Sequence, residues 1–254
     1  MSDDPTRPTT SRRPAGETVW AVLRLILAAL IIAAVIAQGA VSIGGAAAQG
    51  RDTATTAVNF FSFFTILSNL AAAAVLLWAT VRWVSGRAPR TDGVAFATTL
   101  AAVTTYMIVT GIVYNTLLRN IPLPQGSTVP WSNEVLHLVA PLFLLLDVFL
   151  GPGRRALRWR AIGQTLIFPI AWVAYTLIRG PLTTDPSGSP DWWYPYPFLN
   201  PNTLPGGYPA VAAYVAGIAV VIALVATGVV AVSRRRGAHV DAGVSRRRGI
   251  RPGA

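Results

Sequence analysis

The chain has 254 residues, of which 53% are hydrophobic and only 12% charged, with a mean hydropathy of +0.50; a soluble domain carries about a quarter of its residues as charges, so the composition excludes an ordinary soluble domain. The net charge is +11 and all 21 basic residues are arginine, but they sit between or after apolar runs, which fits membrane topology and not a nucleic-acid face, so no nucleic-acid partner is expected. The absence of cysteine excludes a disulfide framework, thiolate metal sites and a cysteine nucleophile.

Residues 1–18 are polar and proline-containing and read as a disordered tail. Six apolar runs follow, each near the ~20 residues that cross a bilayer: Val19–Ile43, Ala57–Thr80, Val94–Leu118, Asn133–Leu150, Ala161–Ile178 and Pro209–Val232. They predict an all-α, polytopic bundle of six transmembrane helices over residues 19–232, because lipid supplies no water to an open backbone. The first run exceeds a typical signal-peptide core, so despite the small residues of "GAAAQG" at 45–50 it is read as an uncleaved helix. No helix shows an obvious mid-membrane break, and no transporter-type internal repeat is visible.

The connection from Arg179 to Tyr208 contains "DWWYPYPFLNPN". Its aromatics suit the headgroup region, as a belt capping the bundle, or they form a lid over an outward-facing site. Residues 233–254 read as a basic disordered tail, drawn to anionic headgroups, in which "VSRRRG" occurs at 232–237 and again at 244–249. Eighteen arginines fall on the side of the two termini, including Arg82, Arg87 and Arg90 between the second and third spans. Only Arg51, Arg119 and Arg179 fall on the other. The positive-inside rule therefore predicts that both termini are cytoplasmic, in a multi-pass protein of the cell membrane.

At about 100° per residue, polar side chains gather on one face of several spans. Ser62, Thr65, Ser68 and Asn69 share a face of the second. Thr104, Gly111 and Asn115 align on the third, beside Tyr114. Asn133, Glu134, His137 and Pro141 share a face of the fourth, and Gln164, Tyr175 and Arg179 line up on the fifth. At about 1.5 Å per residue, Thr65 lies roughly 12 Å and His137 roughly 6 Å from the outer ends of their spans, with Asn115 and Tyr175 near that level. One outer pocket would collect them. Asp147 lies about 15 Å further along and is expected to pair with an arginine of "RRALRWR". Each residue also has a plainer reading. Serine and threonine bond their own helices, asparagine joins helices, and Glu134 pairs with Arg119 or Arg179.

"FFTILSN" at 63–69 after Phe60 and Phe61, "TGIVYN" at 110–115, "NEVLH" at 133–137, "AYTLIRG" at 174–180 and "YPYPF" at 194–198 resemble the bacterial Pr6Pr family of membrane proteins across all six spans. That family is more loosely similar to the eukaryotic FAR-17a and androgen-induced membrane proteins, intramembrane hydrolases of fatty-acid esters that use a threonine and a histidine. The resemblance implies Thr65 as nucleophile and His137 as base on a long-chain lipid ester. Chemically, His137 is a suitable base for a threonine and Glu134 could orient its ring. Asn69, Asn115 or Tyr175 could donate to an oxyanion, and Arg179 could hold a fatty carboxylate. The competing readings are an ion-coupled carrier using Glu134, His137 and Arg179, and a lipid-binding protein without chemistry. No cofactor is expected: haem would need a second helix histidine, His239 lies in the tail, and no zinc ligand cluster is present.

Overall fold

The structure is a computed structural model that describes residues 15–86, 91–121 and 128–249, with the side chains of 239–249 left undescribed. Most of the 1–18 tail, Arg87, Arg90 and the side chain of His239 therefore lie outside the described residues. The protein is an all-α membrane bundle. Among the described residues, six helical segments are long and apolar enough to cross a membrane: Ala15–Ala48, Phe64–Val84, Val94–Leu118, Pro130–Leu150, Arg160–Leu182 and Gly207–Ala238. Six spans bring the start of the first and the end of the last to one side.

Helix α1 (Ala15–Ala48) buries Arg24, Leu27, Ala28, Ile31, Ala34, Val35 and Gln38, a stripe at helical spacing. It packs along α3 (Phe64–Val84), where Ala72 and Ala73 allow close approach. Between them lies the short α2 (Thr53–Ser62), whose N-cap Asp52 accepts from the Ala54 and Thr55 amides at 2.9 and 3.0 Å. The span read as unbroken is thus interrupted at Phe63, which is extended at φ −69°, ψ 131°. Ser62, Thr65, Ser68 and Asn69 are all buried.

Helix α4 (Val94–Val113) ends in a π-helical turn, Tyr114–Leu118. The fourth span is built from α5 (Pro130–Glu134), a second π turn (Val135–Val139) and α6 (Ala140–Leu150). Helix α7 (Arg160–Arg179) carries an internal Pro169, and α8 runs from Gly207 to Gly249. The backbone of 233–249, expected as tail, therefore continues the last helix.

At four openings of the helix ladders a side chain from another element fills the gap, as lipid requires. Pro169 has no N–H for the Thr165 carbonyl four residues earlier, and Tyr106 OH donates to that oxygen at 2.8 Å. Pro141 likewise leaves the His137 carbonyl free, and Asn115 Nδ2 donates to it at 3.1 Å. The π turn directs the Ala140 amide to Val135, which frees the Leu136 carbonyl for Asn69 Nδ2 at 3.1 Å. At the Phe63 break, Trp172 Nε1 donates to the Ser62 carbonyl at 2.9 Å.

A further buried lock lies at the opposite end of the bundle, near the start of α1 and the end of α6. Asp147, fully buried, bonds Arg24 at 2.8 Å and also accepts from Arg154 and Trp20. The expected partner from "RRALRWR" is Arg154, and Arg24 of α1 joins it.

Candidate functional site

Thr65 is the second residue of α3, so its amide belongs to the helix-end N–H groups that have no partner within the helix. The partner comes from the long connection between α7 and α8. Tyr196 OH accepts from the Thr65 amide at 3.3 Å and meets Thr65 Oγ1 at 3.2 Å. That connection caps one end of the bundle, as one of its two sequence readings had it, and it does so with buried side chains. Trp193, Tyr194, Tyr196, Phe198 and Leu199 are all buried, and the segment plugs the outer end of the bundle. Phe63 sits edge-on to both Trp193 and Tyr196, with ring centroids 5.6 and 5.5 Å apart. Burial pushes the Tyr196 phenol above its ordinary pKa, so it remains a neutral hydroxyl.

Beside this pair is a cavity of about 120 Å³. Its wall is almost all carbon, from Val109 and Val113 of α4, Pro169 and Trp172 of α7, and Val215 and Ile218 of α8, among others. Its hydroxyl-bearing residues are Thr65, Thr110, Tyr114 and Tyr196, which come from the start of α3, the end of α4, the π turn after it and the plug. Val113 and Ile218 also line an apolar groove between α4 and α8 that passes Gly217, where open space surrounds the Cα.

Of the residues expected around one pocket, Thr65 lines this cavity; His137, Asn115 and Tyr175 do not. His137 is buried one layer back, its ring stacked on Tyr114 with centroids 3.7 Å apart. Its Nδ1 lies 3.0 Å from the Asn133 carbonyl. A carbonyl only accepts, so Nδ1 carries the proton and Nε2 presents a lone pair. The Asn133 side chain donates to Tyr114 OH at 2.6 Å, which ties the histidine layer to the cavity wall. The backbone of Asn133 therefore orients the imidazole. Glu134 instead forms a two-pronged pair with Arg119 at 2.9 and 3.1 Å, both side chains being partly exposed.

The amide donors read as oxyanion candidates are already committed. Asn69 Nδ2 donates to the Thr65 and Leu136 carbonyls, and Asn115 Nδ2 to those of Gly111 and His137. Tyr175 OH meets Ser62 Oγ at 2.9 Å and is partly exposed. Arg179 donates to Asn59 Oδ1 at 2.7 Å and lies over the Trp193 ring at 5.5 Å. Gln164 is exposed on the outside of α7. Tyr196 carries no sequence signal for its position, since residues in an irregular segment have no periodicity to assign them a face.

No protein-family model, curated protein or solved structure matches the chain.

Proposed function

We propose that this multi-pass protein resides in the cell membrane, belongs with the Pr6Pr proteins it resembles, and takes the acyl chain of a membrane lipid into the cavity between α4, α7 and α8. The lipid's polar group, an ester, rests against the Thr65 and Tyr196 hydroxyls. The observation that carries this reading is the cavity wall: carbon throughout its depth, with its hydroxyls at the outer end. The adjoining groove gives a chain a sideways path from the bilayer.

Hydrolysis of that ester is the second reading, favoured by Thr65 lining the cavity at the start of α3, where the helix dipole suits a developing negative charge. Thr65 Oγ attacks the ester carbonyl carbon and its proton passes to a base. The alcohol leaves with a proton, and water then cleaves the acyl-threonine. Tyr196, a neutral phenol, suits the oxyanion and not the base. His137 Nε2 suits the base, but its ring is stacked on Tyr114 and does not line the cavity. Binding is therefore the primary reading. The carrier reading has weaker support, because Glu134 is engaged by Arg119.

The test is to incubate detergent-purified protein with a panel of long-chain esters and to measure both retained ester and released acid. Retention without release supports binding. Release that disappears in both Thr65→Ala and His137→Ala supports hydrolysis. Neither retention nor release sinks both readings.

A further inference from the structure

A second pocket, of about 90 Å³, lies on the other side of Phe63 and Trp193, between the outer end of α1, α2 and the plug. Its lining is polar where the lipid cavity is apolar, and it includes Arg51, Asn59 and Asp185. Three observations point to a ligand. Asn59 is 4% exposed, and its Nδ2 has no hydrogen-bond partner among the described residues. The orientation of that amide is fixed, because Arg179 has only donors and bonds the oxygen at 2.7 Å, so the NH₂ group is the one left over. Finally, Arg51 and Asp185 line the same pocket without pairing with each other, and the Arg51 guanidinium has no carboxylate partner among the described residues. Arg119, the third arginine of this side, is by contrast neutralised by Glu134.

We propose that this pocket binds a small zwitterion, with its acidic group on Arg51 beside Asn59 and its ammonium group on Asp185. Opposite charges that face one space without closing on each other are bridged by a ligand that carries both signs. Asp185 Oδ1 is occupied by the amide and hydroxyl of Ser187 at 2.9 and 2.5 Å, which leaves Oδ2 for the ammonium group. The volume suits a solute of several heavy atoms, since a water needs only about 10–15 Å³ of such space. Two sources share this chemistry: a free amino acid and the phosphoethanolamine headgroup of a lipid. The site is independent of the lipid cavity, from which Phe63, Trp193 and Tyr196 separate it.

The experiment is calorimetric titration of the full-length protein in nanodiscs with glycine and with phosphoethanolamine. Acetate and ethylamine serve as single-charge controls. Saturable binding of at least one zwitterion is expected, weakened about tenfold or more by Arg51→Gln and by Asp185→Asn, the loss of one charge-assisted bond. Arg158→Gln, at the opposite end of the bundle, should leave it unchanged. Arg51 is exposed, and Asp185→Asn keeps the oxygen that Ser187 uses, so neither change threatens the fold. Glycine binding that is equal in phosphatidylcholine and phosphatidylethanolamine discs identifies the free solute. Binding abolished in phosphatidylethanolamine discs identifies the headgroup. Absence of binding by both zwitterions in phosphatidylcholine discs, acetate binding as tight as glycine, or binding indifferent to Arg51→Gln overturns the proposal.

Discussion

Thr65 and Tyr196, 131 residues apart in sequence, meet hydroxyl to hydroxyl at 3.2 Å where the second span begins. Tyr196 also accepts the Thr65 amide, so a single phenol closes the helix end and fixes the threonine at the cavity wall. Tyr196→Phe leaves both Thr65 groups without their partner. It should lower stability by about 1–3 kcal/mol, the cost of an unsatisfied buried polar group, and weaken ester retention. Thermal unfolding in detergent, run beside the retention assay, checks both.

Alkaline pH should act through the same residue. Burial raises the pKa of Tyr196, and that of Tyr194 to about 12. Unfolded tyrosine titrates near 10. The unfolded chain therefore releases its proton first, and the stability these residues contribute is complete below that pH and lost as pH rises through the folded values. The melting temperature should fall above about pH 10, and the fall should be shallower in Tyr196→Phe than in the wild type.

The Asp147 lock gives a different pattern. Removing the carboxylate by Asp147→Ala strands Arg24 and Arg154 in a buried setting, and should cost about 3–5 kcal/mol. Arg24→Gln leaves Asp147 with Arg154 and should cost less. Lipid retention by whatever fraction folds should be unchanged, because Asp147 lies apart from the cavity. Melting curves of the two variants check the order.

Two glycines should respond in opposite ways. A Cβ on Gly180 would meet the ring of Tyr194, itself buried in the plug, so Gly180→Ala should destabilise by about 1–3 kcal/mol through overpacking. Gly217 has open space around it, so Gly217→Phe should fold normally while filling the groove between α4 and α8. Ester uptake slowed in Gly217→Phe at unchanged melting temperature would support the sideways path; unchanged uptake would remove it.

Span count and the bundle architecture were legible because a bilayer demands long apolar runs, and the third span, Val94–Leu118, has the same limits in sequence and structure. The buried face of Ser62, Thr65, Ser68 and Asn69 was legible from helical periodicity. The break at Phe63 was not. It depends on Trp172 donating to the Ser62 carbonyl and Tyr196 accepting from the Thr65 amide, and those contacts are set by tertiary packing. Asn69 and Asn115 were read as donors for chemistry, yet Pro141 explains Asn115: its missing N–H creates the carbonyl that Asn115 serves. The arginine split predicts that the side carrying the termini faces the cytoplasm, and reporter fusions after residues 50, 125 and 200 should all score as external.

The central claim is that a lipid chain occupies the cavity behind Thr65 and Tyr196. The most direct measurement is photo-crosslinking of the protein in bilayer nanodiscs with a long-chain ester bearing a diazirine near its acyl terminus, followed by peptide mapping. The account predicts labels on the cavity-lining stretches of α4, α7 and α8, around Val109, Pro169 and Ile222. These labels should disappear in Ile218→Trp, which fills the mouth shared by cavity and groove. Labels confined to the lipid-facing surface, or cavity labels undiminished by Ile218→Trp, would contradict it.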